Sequence, residues 1–167
     1  MGAAPLKQEK SKEQLFSELA VLQKDMEKNL AVQEQFIKRF QGLLQAEAEP
    51  LTLLNLLPYP AALFKRGGIL HRVNDALMES TDLREGDIPD GNINFLSRVT
   101  NENFAILEAA EGVFYGKTAL LSRLSHPLEL FCKNWNYRAR NNYGSALFFP
   151  IPDGDGNIRY GAVMLMK

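Results

Sequence analysis

The chain of 167 residues has one cysteine, one tryptophan and two histidines, and it has no long apolar run. A single cysteine, Cys132, cannot make an internal disulfide, and its solitude favours a reducing compartment. His71, His126 and Cys132 lie too far apart in sequence for a local zinc motif, so no metal site is expected. Basic charge is not in excess. Nineteen Lys and Arg face twenty Asp and Glu, for a net charge of −1 and a pI near 6.1. Nucleic-acid binding depends on clustered cations, so no nucleic-acid partner is expected. No segment approaches the ~20 apolar residues that span a bilayer. The opening MGAAPLKQEK lacks the apolar stretch of a secretory signal. Gly2 invites a myristoylation reading, but Leu6 stands where Ser or Thr is wanted. No membrane association is expected, and the expected location is the cytoplasm.

What the chain does have is hydrophobic residues at 46%, ten phenylalanines among them, and clear strand punctuation. Ala146–Ile151 and Tyr160–Met166 are apolar and aromatic, as strands require. Asp153 to Asn157 joins them with residues that turn the backbone readily. This is a hairpin. A shorter one precedes it: Ala61–Lys65 and Ile69–Val73, separated by Arg66, Gly67 and Gly68. Between the hairpins the pattern is helical and loop-like. Asp75–Thr81 reads as a short helix capped by Asn74 or Asp75. Arg84–Gly91 reads as a loop, Phe95–Val99 as a helical turn, and Asn101–Glu111 as a helix closed by Gly112. Thr118–Leu124 and Leu128–Cys132 read as strand segments around His126 and Pro127. Two hairpins bracketing helices define an α+β fold, an antiparallel sheet with helices on one face.

The segment GGILHRVNDALMESTDL resembles the start of a PAS domain: glycine turn, strand, asparagine, short helix. FFPIPDGDGNIRYGAVMLM resembles that family's last two strands. The resemblance covers roughly Leu53–Lys167. It implies a sensory or signalling module over residues 51–167, without catalysis of its own, whose sheet and helices form a cup. That cup could hold a small molecule or be filled by side chains. Asn74 is expected to be structural, bonding nearby backbone at the strand-to-helix junction. If a ligand binds, His71, Tyr115, Tyr160, Ala162 and Met164 are the candidates to meet it. On the last strand the Tyr160, Ala162, Met164 face is taken as inward, because methionine adapts to irregular cavities. No cofactor can be assigned. Some PAS domains hold haem through histidine, but no position here matches such a motif. Flavin photoreceptors of the family use a cysteine in an Asn-Cys-Arg-Phe-like context, whereas Cys132 sits in Leu-Phe-Cys-Lys-Asn, so photochemistry is not implied.

Residues 1–10 are expected to be disordered, and residues 11–49 to form a coiled-coil helix. From Ser11 to about Glu47 there is neither proline nor a turn cluster, and strong helix formers dominate. Ser11 and Gln14 can make a capping box, and Pro50 stops the helix. A rod of roughly 55 Å results at 1.5 Å rise per residue. Leu15, Leu19, Leu22 and Met26 follow coiled-coil steps. Beyond Met26 two registers are possible, one strict and one with a stutter, and both use Phe40; Phe36 belongs to the strict one. These six residues are the expected homodimer interface, with a signalling partner protein as a further possible contact.

Two patterns are decoys. Glu111 to Thr118 nearly spells a phosphate loop, but Glu111 occupies the first glycine position. Asp153, Asp155 and Asn157 begin like an EF-hand, but Ile158 and Met164 stand where glycine and a bidentate glutamate are needed. There is no Gly-x-Ser-x-Gly turn for acyl transfer.

Overall fold

The computed structural model describes residues 57–89, 91–139, 143–153 and 155–167, with residues 13, 16, 17, 20, 21, 31, 34, 35, 37, 38, 54 and 55. The chain divides into two compact units, residues 1–39 and 40–167. In the first unit every described residue is helical, and Phe16 and Val21 are exposed there. Leu15, Leu19, Leu22, Met26, Phe36 and Phe40 lie outside the described residues.

Among its described residues the second unit is built on five strands: β1 (Ala61–Phe64), β2 (Leu70–Val73), β3 (Ala119–Leu121), β4 (Ser145–Pro152) and β5 (Ile158–Met166). They form one sheet in the order β2-β1-β5-β4-β3, with every neighbouring pair antiparallel. The β4–β5 hairpin is the longest pairing, running from Ser145↔Met166 to Pro152↔Ile158. Its turn is held by Asp153, whose Oδ1 accepts from the N–H groups of Asp155 at 3.0 Å and Asn157 at 2.9 Å. The first hairpin turns at Gly67 and Gly68, with φ of +89° and +92°. Gly68 has a second constraint. A Cβ there would fall 2.6 Å from a Leu96 side-chain carbon and 2.7 Å from Asn94 Oδ1, so glycine is needed for both dihedral and space.

Helices α1 (Asp75–Ser80) and α2 (Phe104–Gly112) and several 3₁₀ turns pack on one face of the sheet. That face presents Ala62, Phe64, Val73, Ala146, Phe148, Val163 and Leu165 to Leu77, Ile106, Ala110, Val113 and Phe131. The opposite face carries Leu63, Leu147, Phe149, Ala162 and Met164, which are also buried.

Four sequence-based expectations are corrected here. Leu128–Cys132 is not a strand: Pro127–Phe131 is a 3₁₀ turn with Pro127 at its start, where the missing N–H costs nothing. The strand expected over Thr118–Leu124 shrinks to Ala119–Leu121. Gly112 does not close α2, because the chain continues as a 3₁₀ turn, Val113–Tyr115, and reverses at Gly116 with φ of +82°. The loop at Arg84–Gly91 contains a 3₁₀ turn, Glu85–Asp87, in which Asp87 accepts from the Arg84 N–H at 2.9 Å.

Candidate functional site

The hollow between the sheet and its helices is the natural place for a ligand, and aromatic rings occupy it. Phe64 meets Phe95, Phe114 and Phe148 edge-on, at centroid separations of 5.1, 5.9 and 6.2 Å. Phe95 stacks on Phe131 at 4.8 Å. All five are buried. Edge-to-face pairing suits the ring quadrupoles and adds about 0.5–1.5 kcal/mol per pair beyond burial. Gly161 makes the arrangement possible. A Cβ there would collide with the tip of Phe64 and come within 2.7 Å of Val113 Cγ2, so a glycine in mid-strand marks the close approach of a ring.

Gly161 also settles which side of β5 is inward. Gly161, Val163 and Leu165 lie on the helix side, opposite Phe64, Phe148 and Ala146. The expected inward face, Tyr160, Ala162 and Met164, is therefore corrected: it lies on the other side of the sheet, beside Leu63 and Leu147. His71 is brought to Tyr160 there. The two rings stack at 4.4 Å and 10°. His71 is the extra residue at the β1–β2 irregularity, where Leu63 opposes Arg72 but Phe64 opposes Leu70. Burial, with Arg72 and Lys65 nearby, holds its imidazole below the usual histidine range. Tyr115 is not part of this group. It is 76% exposed at the end of the turn after α2, with the Arg66 guanidinium 5.8 Å from its ring centre.

Asn74 ties the unit together. Its Oδ1 accepts from the N–H groups of Ala61 and Leu77, both at 3.0 Å. Its Nδ2 donates to the carbonyls of Leu54 at 3.0 Å and Tyr59 at 2.8 Å. One fully buried side chain thus joins β1, α1 and the segment preceding the sheet. Asn103 is the contrasting case. It is 8% exposed, and its Oδ1 has no donor. A buried acceptor without a partner among the described residues costs about 1–3 kcal/mol.

Surface hollows formed by the described residues include two beside the core. One, of about 160 Å³, is lined by Asn92, Asn94, Ser97, Arg98, Lys133 and Trp135, with Cys132 at its base. The Arg98 guanidinium sits 4.9 Å from the Trp135 ring centre and donates to the carbonyls of Lys133 at 2.6 Å and Glu129 at 3.4 Å. Asp82 fixes the same loop, accepting from the backbone N–H groups of Lys133 and Asn134. Burial and the nearby Asp82 carboxylate push the Cys132 thiol up to about 11, which makes it a poor nucleophile at neutral pH. The other hollow is an open groove of about 550 Å³ between α2 and β3, and Tyr115 lines it. Sequence reasoning missed Asp82, Arg98 and Asn103. Asn103 stands inside a helical pattern, and nothing in the sequence signals its burial.

Among the described residues, no group of three His, Cys, Asp or Glu could hold a metal ion. No helix among them is long and apolar enough to cross a membrane. No protein-family model matches the sequence, and no curated protein matches it. Solved structures similar to this chain include the following three. A sensory box sensor histidine kinase from Vibrio cholerae is 12% identical, with a TM-score of 0.45, over 80% of this chain and 96% of that one. A LOV protein from Rhodobacter sphaeroides is 16% identical, with a TM-score of 0.47, over 80% of this chain and 66% of that one. The PAS domain of BvgS from Bordetella pertussis is 11% identical, with a TM-score of 0.41, over 70% of this chain and 79% of that one. These are distant likenesses of arrangement.

Proposed function

We propose that this chain is a non-catalytic signalling module. In this reading residues 51–167 form a PAS-like domain, dimerised through the helix at 11–49, that relays its signal by protein contacts. The observation that carries it is the phenylalanine cluster. Phe64, Phe95, Phe114, Phe131 and Phe148 pack against one another in the hollow, which supports surfaces and interfaces as the means of response. The fold alone proves no chemistry, but the resemblance to PAS domains and the inert Cys132 support a role other than catalysis.

A second reading, a small-molecule sensor, is favoured by one atom, Asn103 Oδ1, whose missing donor a ligand could supply. Native mass spectrometry of protein purified from cells separates the two. The first reading expects a dimer with no retained mass. A stoichiometric small molecule on the wild-type chain, lost in Asn103→Leu, replaces it with the second. A chain that stays monomeric at tens of micromolar rejects dimerisation through residues 11–49, since a useful coiled coil associates in about that range.

A further inference from the structure

The two edges of the sheet are treated differently. Along β2, the Leu70 N–H donates to the Ile93 carbonyl at 2.9 Å, the Phe95 N–H donates to the Gly68 carbonyl at 3.1 Å, and Ile69 bridges Asn94. That edge is covered. β3 is the other edge, and among the described residues no strand or bridge lies on its outer side. The groove of about 550 Å³ runs beside it, with Ala105, Ala109 and Gly112 of α2 on one wall and Ala119 and Leu121 of β3 on the other. Tyr115 on its lining is 76% exposed, and on the other face of β3 Leu120 is 43% exposed.

The charge of the helix wall states what would sit there. Glu108 and Glu111 both line the groove and are exposed. They fall in the last turns of α2, where the helix carbonyls already carry partial negative charge, and that helix has no basic residue in its last turn. Neither carboxylate has an ion-pair partner among the described residues. Lys117 is the cation on the groove's lining, its side chain beside Gly112. An acidic wall, an apolar floor and an unpaired strand edge together match one kind of occupant.

We infer that the groove between α2 and β3 is a docking surface for an extended segment of a partner protein, alternating basic and apolar residues, which joins the sheet beside β3 as a sixth strand. Its basic side chains face Glu108 and Glu111 on the α2 side, and its apolar ones, on the other side of the added strand, cover Leu120, which pairs with Leu147 on the face away from the helices. The three residues of β3 allow only a short stretch of main-chain pairing, so side chains carry much of the affinity and the contact is a transient one. The surface does not depend on whether the core is solid or holds a ligand.

The probe is a fluorescein-labelled nonapeptide of alternating lysine and valine, titrated into the full chain by anisotropy, with amide shifts followed by NMR. Saturable binding is expected, with shifts concentrated over residues 105–121. The double variant Glu108→Lys with Glu111→Lys, whose melting curve should be unchanged because both positions are exposed, is expected to weaken binding by about tenfold or more. A Glu–Val peptide should not bind. A Lys–Val peptide N-methylated on alternate amides keeps its charge but loses its strand-forming edge, and it should bind at least about tenfold more weakly. Unchanged binding by the double variant, equal binding of the Glu–Val or N-methylated peptide, or shifts centred elsewhere overturns the inference.

Discussion

Asn74 and Asn103 are both buried asparagines at the N-terminal boundary of a helix, yet one makes every bond its amide can use locally and the other leaves its oxygen bare. The difference lies in how the chain arrives. Asn74 comes out of β2 with ψ of 170°, so its side chain reaches forward to the Leu77 N–H and sideways to β1. Asn103 comes out of a 3₁₀ turn, Asn101–Asn103, with ψ of 19° and its own N–H donating to Thr100. The helical run has already begun there, and the side chain makes no cap bond. Of these two asparagines, the one whose own backbone is extended makes the cap bond.

That contrast can be broken by mutation. The largest effect is expected for Asn74→Ala, which strips the acceptor from the Ala61 and Leu77 N–H groups. Each orphaned buried donor costs about 1–3 kcal/mol, so a loss of about 2–6 kcal/mol follows. A urea melt showing less than about 1 kcal/mol would remove Asn74 from its central place. Next comes Gly161→Ala, a purely steric yardstick against which the polar loss can be set. The added methyl must displace Phe64 and Val113, at about 1–3 kcal/mol. An unchanged melting temperature would mean that the aromatic cluster has slack enough to admit a guest.

Asn103→Leu should leave stability unchanged or raise it by up to about 1–3 kcal/mol, since it removes a buried acceptor that had no protein partner. A drop beyond about 2 kcal/mol would mean that a bound donor holds Asn103 and that the two asparagines are alike after all. The smallest effect belongs to His71. Its folded pKa is depressed, so the unfolded chain takes up the proton more readily. Its contribution to stability is then full above the ordinary histidine pKa of about 6.5 and declines as pH falls from there through the lower folded value. His71→Phe keeps a ring against Tyr160 and should flatten that part of the stability–pH curve. A slope identical to wild type between pH 5 and about 6.5 would assign it to other groups.

Much of the sheet is legible in the sequence, because Gly67-Gly68 and Asp153–Asn157 are turn signals with a stereochemical cause. Which face of β5 looks inward is not legible from alternation. Gly161, Val163 and Leu165 are apolar or small, and so are Ala162 and Met164. All of them are buried, so a period of two carries no contrast. The usable signal was Gly161, a glycine inside a strand. Pro127 misled for a related reason. Proline both interrupts strands and begins helical turns, and the apolar run that follows it, Leu128 to Phe131, suits either. For the candidate site, Asn74 is visible as a cap, but its bonds to Ala61, Leu54 and Tyr59 depend on contacts distant in sequence.

The sheet order has a consequence for how the chain comes into being. β1, among the first strands to emerge during synthesis, lies between β2 and β5, and Ala61 pairs with Met164. The centre of the sheet therefore closes a loop of about a hundred residues, an entropic cost that grows slowly with length but delays the reward. Until β5 leaves the ribosome, β1 and β4 each present an unpaired apolar flank, Ala61–Phe64 and Ala146–Phe149. The nascent chain must pass through a stage in which its most aggregation-prone segments wait for their last partner.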